Sequence, residues 1–271
     1  PTSAERARVP HHGLDVVDPG QRYSAGRFAR DARRWIRGVR ERGRVPLLVG
    51  GTGFFLRALT DPLFDEPPMD PARRRALGAW LEARSRDTLE RWARRLDPER
   101  ASVAAEGGPQ RLVRTLEVAL LTGRPLSWWH REAAAEGEPV PVLTVLLEVP
   151  RDELDRRIDA RAARMFDEGL VEEVRALLAS GVRSDAPGMS GVGYREVAAA
   201  LAGETTMDEA LEAIRSATRR YARRQLTWFR NQLGEPVIRL DGLLPLEEQR
   251  DGVVTAWRSA TDTHTGRGDE G

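Results

Sequence analysis

Hydrophobic and polar positions alternate at helical spacing along most of this chain, and a few short, fully apolar runs interrupt that pattern. The longest uninterrupted helix is predicted over residues 207–231, which contain no glycine or proline. Another is predicted over residues 24–42, with a serine at its start and a glycine after its end. Residues 45–49 are all apolar or proline, which predicts a strand buried in a parallel sheet. Residues 143–149 and 236–240 predict two further strands.

The pattern changes at about residue 65, where several short helices follow each other with little strand signal. Asp70-Pro71 begins the first of them, and Gly123 ends the one that starts at Pro109. We therefore predict an α/β core of residues 1–64 and 141–260 with a helical insertion of residues 65–140. The polar, glycine-rich residues 261–271 are predicted to be a disordered tail.

Composition excludes several kinds of chemistry. The formal net charge is +1, and all 43 positively charged residues are arginine. Without lysine there is no Schiff base and no phosphate-loop lysine, and without cysteine there is no disulfide, thiolate-bound zinc or thiol catalysis. The sequence has no signal peptide and no apolar run long enough for a membrane span, so we expect a soluble, cytoplasmic protein.

Arginine is nevertheless concentrated in one predicted helix. No acidic residue lies between Ile214 and Leu233, so like charges are stacked at i, i+4 spacing along the helix. Guanidinium groups match phosphate geometry, which favours a polyanionic partner such as nucleic acid. A solvated face paired with acids elsewhere in the fold is the alternative, and the sequence leaves it open. The arginines are Arg215, Arg219, Arg220, Arg223, Arg224 and Arg230.

A glycine-rich turn, Gly50-Gly51-Thr52-Gly53, connects the apolar run at residues 45–49 to another apolar segment. Backbone N–H groups between a strand and a helix can hold an anion, so the turn is a candidate phosphate or substrate site. The alternative is an ordinary turn in which glycine provides a positive φ angle.

Three further segments carry candidate chemistry, each with an ordinary structural alternative. Gln110, Arg111 and Arg114 lie within one helical turn, beside a predicted core stripe of Leu112, Leu116 and Leu120. Arg157, Arg161 and Arg164 share a helix face that could clamp a diphosphate, although nearby acids allow plain ion pairs. In Gly193-Tyr194-Arg195-Glu196, an arginine in the first helical turn opposes the helix dipole, which indicates an anionic partner.

In this order, the segments resemble those of the tRNA dimethylallyltransferase (tRNA isopentenyltransferase) family over about residues 1–241. The matching runs are Pro10-His11-His12, Leu14-Asp15, Asp18-Pro19, residues 46–53, residues 110–118, Arg157-Ile158 to Arg161 with Met165, residues 169–174, Gly193 to Glu196, and residues 217–230.

The resemblance implies a P-loop-kinase-like parallel-sheet core with a helical insertion domain. It also implies transfer of a dimethylallyl group from dimethylallyl diphosphate to N6 of adenosine 37 in the tRNA anticodon stem-loop. The target base would be flipped out of its stack, and Mg²⁺ would help to neutralise the departing diphosphate. Nucleotide (ATP) binding is sometimes inferred for the family from its phosphate loop, but its prenyl donor is the isoprenoid diphosphate.

Carried over residue by residue, the resemblance implies that Thr52 and Arg161 are catalytic, and that Arg161 and Gly51 bind the diphosphate. No residue of this chain is implied as a metal ligand. The implied tRNA-binding residues are Thr52, Arg74, Gln110, Arg111, Arg114, Gly193, Tyr194, Arg195, Arg223, Arg224, Gln225 and Arg230.

The sequence departs from the family pattern at its beginning. The family starts with a Gly-Lys-Ser/Thr phosphate loop and a strand that carries the general-base Asp, and neither is present here. We therefore expect an N-terminally truncated, monomeric member that lacks its first strand, its phosphate loop and most Mg²⁺ ligands, and that is inactive alone. The alternatives are an adenylate isopentenyltransferase that acts on free nucleotide, a non-catalytic RNA-binding remnant and, with less support, a nucleoside-phosphate kinase.

Overall fold

The computed structural model describes residues 1–61, 67–133, 137–233 and 237–265. The chain forms two compact units, residues 1–60 with 140–271 and residues 61–139. The first unit is α/β, and the described part of the second contains only helices and loops. The sequence predicted the boundaries between the core and the insertion after residue 64 and after residue 140.

The described helices are α1 (Ser3–Arg8), α2 (Ala25–Glu41), α3 (Gly53–Thr60), α4 (Pro71–Glu82), α5 (Arg86–Leu96), α6 (Ala101–Glu106), α7 (Pro109–Thr122), α8 (Leu126–Glu132), α9 (Arg151–Asp167), α10 (Leu170–Ala179), α11 (Tyr194–Leu201), α12 (Met207–Gln232) and α13 (Leu246–Thr265). A 3-10 turn spans Pro187–Ser190, and the strands are β1 (Thr144–Glu148) and β2 (Val237–Asp241).

The sheet of the α/β unit is small and parallel. β1 pairs with β2 so that Thr144 lies opposite Val237 and Glu148 lies opposite Asp241. These strands correspond to two of the three predicted from apolar runs. The third prediction was wrong, because residues 45–49 form no strand and the side chains of Leu47 and Val49 are 78% and 84% exposed. An apolar run becomes a strand only when another strand lies beside it, and none does so among the described residues.

The core of the α/β unit forms where α9, α10, α11 and α12 meet. The helix predicted over residues 207–231 is α12, which ends one residue later. It begins at Met207 because Thr206 and Glu209 form a capping box there. The buried core residues are Ala162, Leu170, Val174, Ala186, Met189, Val197, Ala198 and Ile214.

The helical unit has its own core, centred on α5 and α7. Leu112 and Leu116 are fully buried as predicted, whereas Leu120 is 47% exposed because the stripe leaves the packed face in the last turn of α7. The wholly buried Asp97 carboxylate accepts hydrogen bonds from the N–H groups of Ser127 (2.9 Å) and Arg100 (3.3 Å). The buried apolar residues are Leu81, Leu89, Ala93, Ala101, Ala104, Leu112, Val113 and Leu116.

The C-terminal region differs from its prediction. Residues 261–265 continue α13 to Thr265, so the predicted disorder is wrong for them, and residues 266–271 lie outside the described part of the chain. Over the described ranges, no helix is both long enough and apolar enough to cross a lipid bilayer.

Candidate functional site

The glycine-rich turn at residues 50–53 lies against α12 of the same unit. The Gln225 side-chain amide donates a hydrogen bond to the Gly51 carbonyl oxygen at 2.8 Å. The hydroxyl oxygens of Thr52 and Tyr221 are 3.2 Å apart and share a hydrogen bond. Tyr221 and Gln225 are four residues apart, so they share one face of α12. That face therefore holds both turn residues that the resemblance places near the substrates.

The glycines of this turn are required by close packing. Neither Gly51 nor Gly53 has a positive φ angle, so the turn-conformation alternative is wrong for them. A Cβ atom on Gly51 would overlap the Gln225 amide, and one on Gly53 would overlap the Trp228 indole. Glycine is thus needed here because α12 approaches the backbone of the turn closely.

Thr52 is the last residue before α3. Its carbonyl oxygen accepts hydrogen bonds from the N–H groups of Phe55 (3.0 Å) and Leu56 (3.3 Å), while its side chain is exposed. The Thr52 hydroxyl is therefore accessible from solvent and held in place by the rigid start of a helix.

The arginines of α12 fall into two groups. Arg215 pairs with Glu212 on the same helix, and one terminal guanidinium nitrogen of Arg219 donates to both carboxylate oxygens of Asp159 of α9. From residue 220 onward, no α12 arginine forms an ion pair with any described residue, and all four of these side chains are exposed. The alternative of a face paired with acids is thus confirmed for Arg215 and Arg219, whereas a polyanionic partner of the other four arginines stays a prediction. The four are Arg220, Arg223, Arg224 and Arg230.

The three arginines predicted to share a face of α9 are not equivalent. Arg157 pairs with Glu153 at 2.8 Å, and Arg164 pairs with Glu168 at 3.6 Å, as the structural alternative predicted. Arg161 is exposed and forms no ion pair within the described ranges. Arg161 is therefore the α9 guanidinium that is most available to a bound anion.

The turn at residues 191–195 is held by internal contacts. The Gly193 N–H donates to Glu196 at 2.8 Å, and Arg195 pairs with the same carboxylate at 2.9 Å. Although burial favours its neutral form, these hydrogen bonds hold the pKa of Glu196 below its ordinary value. The arginine in the first turn thus has an acidic partner inside the protein, which removes the argument for an external anion there. Burial, together with a 2.7 Å hydrogen bond to Glu173, raises the pKa of Tyr194 to about 12.

In the helical unit, two predicted tRNA-binding arginines meet at one carboxylate. The Glu117 side chain, only 12% exposed, lies 3.4 Å from Arg74 of α4 and 3.9 Å from Arg114 of α7. Gln110 and Arg111 are exposed at the beginning of α7. Sequence reasoning missed Glu117, although its position three residues after Arg114 is a readable signal for an ion pair.

No metal centre is visible in the described ranges of the chain, since no group of three or more His, Asp or Glu side chains there could hold an ion. The described residues therefore provide no complete set of protein ligands for Mg²⁺. Magnesium dependence stays a prediction from the resemblance.

One helix, α12, thus holds a glycine-rich turn and also carries arginines that form no ion pair in the described part of the chain, an arrangement suited to a phosphorylated substrate. The family profile described as IPP transferase matches residues 1–232, and the chain belongs to that family. The family consists of tRNA dimethylallyltransferases, which are prenyltransferases that modify tRNA, so the resemblance stated from the motifs is confirmed.

Individual relatives agree with this assignment. The chain is 43% identical over 229 residues to tRNA dimethylallyltransferase 1 of Citrifermentans bemidjiense, covering 84% of this chain and 74% of that protein. The crystal structure of a full-length tRNA isopentenylpyrophosphate transferase from Bacillus halodurans aligns with a TM-score of 0.64 and 29% identity, over 98% of this chain and 84% of the other. A eukaryotic dimethylallyltransferase acting on tRNA shares the fold, with a TM-score of 0.75 at 21% identity, over 96% and 68% of the two chains.

Proposed function

We propose that this chain binds tRNA, and contacts the diphosphate through Arg161 and Gly51, in an enzyme that transfers a dimethylallyl group to N6 of adenosine 37. The observation that carries the proposal is the Gly51-Thr52 turn, which is held against a helix whose C-terminal half has unpaired arginines. A nucleic-acid substrate needs such a charged surface beside the residue that meets its reacting base.

The reaction forms a bond between N6 of the adenosine and the first carbon of the prenyl group, while the bond from that carbon to the diphosphate oxygen breaks. N6 loses its proton to the general-base Asp that the resemblance places in the family N-terminal segment, and the electron pair of the broken bond leaves with the diphosphate. The Thr52 hydroxyl is accessible and fixed, which supports a role in holding the adenine edge. Arg161 forms no ion pair with an acid in the described part of the chain, which supports a role in stabilising the negative charge of the departing diphosphate.

The tRNA-binding assignments form one group in each unit. In the α/β unit they are Thr52, Gly193 to Arg195, and the Arg223 to Arg230 segment, while Arg74, Gln110, Arg111 and Arg114 belong to the helical unit. The exposed, unpaired guanidiniums of Arg223 and Arg230 are the best-supported phosphate contacts. The same two guanidiniums also favour the second candidate, a non-catalytic RNA-binding protein.

A dimethylallyl transfer assay on an anticodon stem-loop with adenosines at positions 36, 37 and 38 tests the proposal. We would assay the 271-residue chain by itself and joined to a family N-terminal segment that carries the phosphate loop and the Asp. Activity only in the joined chain is the expected result, and activity of the chain by itself would contradict the expectation that it is inactive alone.

Two substitutions and one control decide the residue roles. Thr52→Ala and Arg161→Ala should each abolish most transfer, whereas Arg164→Ala, on the same helix but paired with Glu168, should not. Stem-loop binding without any transfer by the joined chain would favour the RNA-binding candidate. Transfer to free AMP in preference to the stem-loop would favour an adenylate isopentenyltransferase.

A further inference from the structure

The side chain of Gln225 is already engaged with the protein. Its amide nitrogen donates to the Gly51 carbonyl oxygen at 2.8 Å, and the contact is partly buried. The absence of a side chain at Gly51 is what allows this approach, since a Cβ atom there would overlap the amide. A residue held in this way is a poor candidate for a direct contact with RNA.

Two neighbours extend the contact along the same face of α12. Tyr221, one turn before Gln225, shares a hydrogen bond with Thr52 at 3.2 Å. Trp228, three residues after it, packs over Gly53. These three side chains therefore touch three consecutive residues of the turn, which places the Thr52 hydroxyl relative to the helix axis.

The opposite face of the same helix carries the guanidiniums of Arg223 and Arg230. At 100° per residue these two residues lie about half a turn of rotation away from Tyr221 and Gln225. Both are exposed, with no acidic partner among the residues the structure describes. One helix, α12, thus carries arginines suited to phosphates on one face and contacts the turn that contains Thr52 through its other face.

We propose that Gln225, together with Tyr221, is a positioning residue that fixes the Gly51-Thr52 turn relative to the phosphate-binding face of α12. The inference rests on the proposed function and changes one of its assignments, because Gln225 then acts on the turn and does not contact tRNA. Binding of the tRNA backbone to one face of the helix sets where Thr52 meets the flipped adenosine.

The test uses Gln225→Met, which removes the donor while keeping the length of the side chain, and Tyr221→Phe, which removes only the hydroxyl. Gln232→Met is the matched control, because Gln232 lies on the same face of α12 but accepts a hydrogen bond from Arg57 of α3, away from the turn. Hydrogen exchange at the amides of residues 51–56, stem-loop affinity, and kcat and KM of the joined chain are the readouts.

We expect amide hydrogen exchange in the turn to be at least about threefold faster in Gln225→Met, because the hydrogen bond to the Gly51 carbonyl oxygen is lost. The stem-loop Kd should stay within about twofold, while kcat falls by about tenfold or more because the reacting geometry is loosened. Tyr221→Phe should act in the same direction, and Gln232→Met should change none of the three.

Unchanged exchange with a weaker stem-loop Kd would overturn the proposal and return Gln225 to the RNA contacts. Unchanged exchange with unchanged kinetics would overturn it as well. If the unsubstituted joined chain transfers no prenyl group, the proposed function fails and the positioning role falls with it. A failure of the proposed function is seen in the unsubstituted joined chain, whereas a failure of the positioning role alone is seen only in the substituted chains.

Discussion

Both halves of α12 carry arginines, but the two sets of arginines have different electrostatic surroundings. In the first half, Arg215 and Arg219 are neutralised by Glu212 and by Asp159 of the neighbouring α9. In the second half, Arg223 and Arg230 are just as evident in the sequence, yet neither forms an ion pair with a described residue. Arginine spacing alone therefore does not identify a nucleic-acid surface, and the ion pairs of the folded chain leave only the second half of the helix as a candidate for one.

The difference also assigns separate tasks to the two halves. An arginine that pairs across two helices contributes to the stability of the unit, because its charge is compensated in the folded chain. An arginine without a partner contributes little to stability and remains free to neutralise a phosphate. Four substitutions test this division.

The largest effect is expected from removal of both unpaired guanidiniums in Arg223→Ala/Arg230→Ala. Loss of two phosphate contacts should weaken stem-loop binding by roughly thirtyfold or more and lower the slope of log K against log salt concentration by about 1.4 to 1.8. Titrations at several salt concentrations measure both quantities. Arg215→Ala is the control from the paired half, and a similar loss of slope in that control would contradict the division.

A second substitution makes the C-terminal half resemble the N-terminal half. Thr227 is exposed, and it lies four residues after Arg223 and three before Arg230, so Thr227→Glu supplies the acid that this region lacks. We expect about tenfold weaker stem-loop binding, because the RNA must displace or oppose the new carboxylate. Thr227→Gln has the same length without the charge and should bind normally; equal losses in both variants would indicate a steric effect.

The third substitution tests the paired half. Arg219→Ala leaves Asp159 without its ion-pair partner, and we expect the free energy of unfolding to fall by about 1 kcal/mol because the pair is only partly buried. Urea denaturation measures the loss, and the salt dependence of stem-loop binding should not change. In a double-mutant cycle with Asp159→Asn, additive losses would show that the ion pair is not the stabilising contact.

The sequence was sufficient for features that depend on neighbours along the chain. It predicted α12 because an unbroken run of residues without glycine or proline is a local feature, and its motifs were sufficient to indicate the family. It failed for features that depend on distant partners. Residues 45–49 needed an adjacent strand, Arg219 has its acid 60 residues away, and Thr52 meets Tyr221 across 169 residues. No periodicity in a single sequence reports such contacts.

The smallest effect is expected at the turn before α11. Like the first half of α12, this region has side chains with acidic partners inside the protein, because Arg195 pairs with Glu196 and Tyr194 donates to Glu173. The pKa of Tyr194 is raised to about 12 by burial and by Glu173, so the folded state favours the neutral phenol. The stabilisation that the raised pKa of Tyr194 provides is complete below the ordinary tyrosine pKa of about 10 and is lost as the pH rises towards 12. Urea denaturation at pH 9 to 12 should show a shallower loss of stability in Tyr194→Phe than in the parent chain.

Tyr23, whose pKa is raised to about 12 by burial and by Asp31, still titrates in that variant, so only part of the slope should disappear. An identical slope in the two proteins would mean that Glu173 does not hold the phenol in its neutral form.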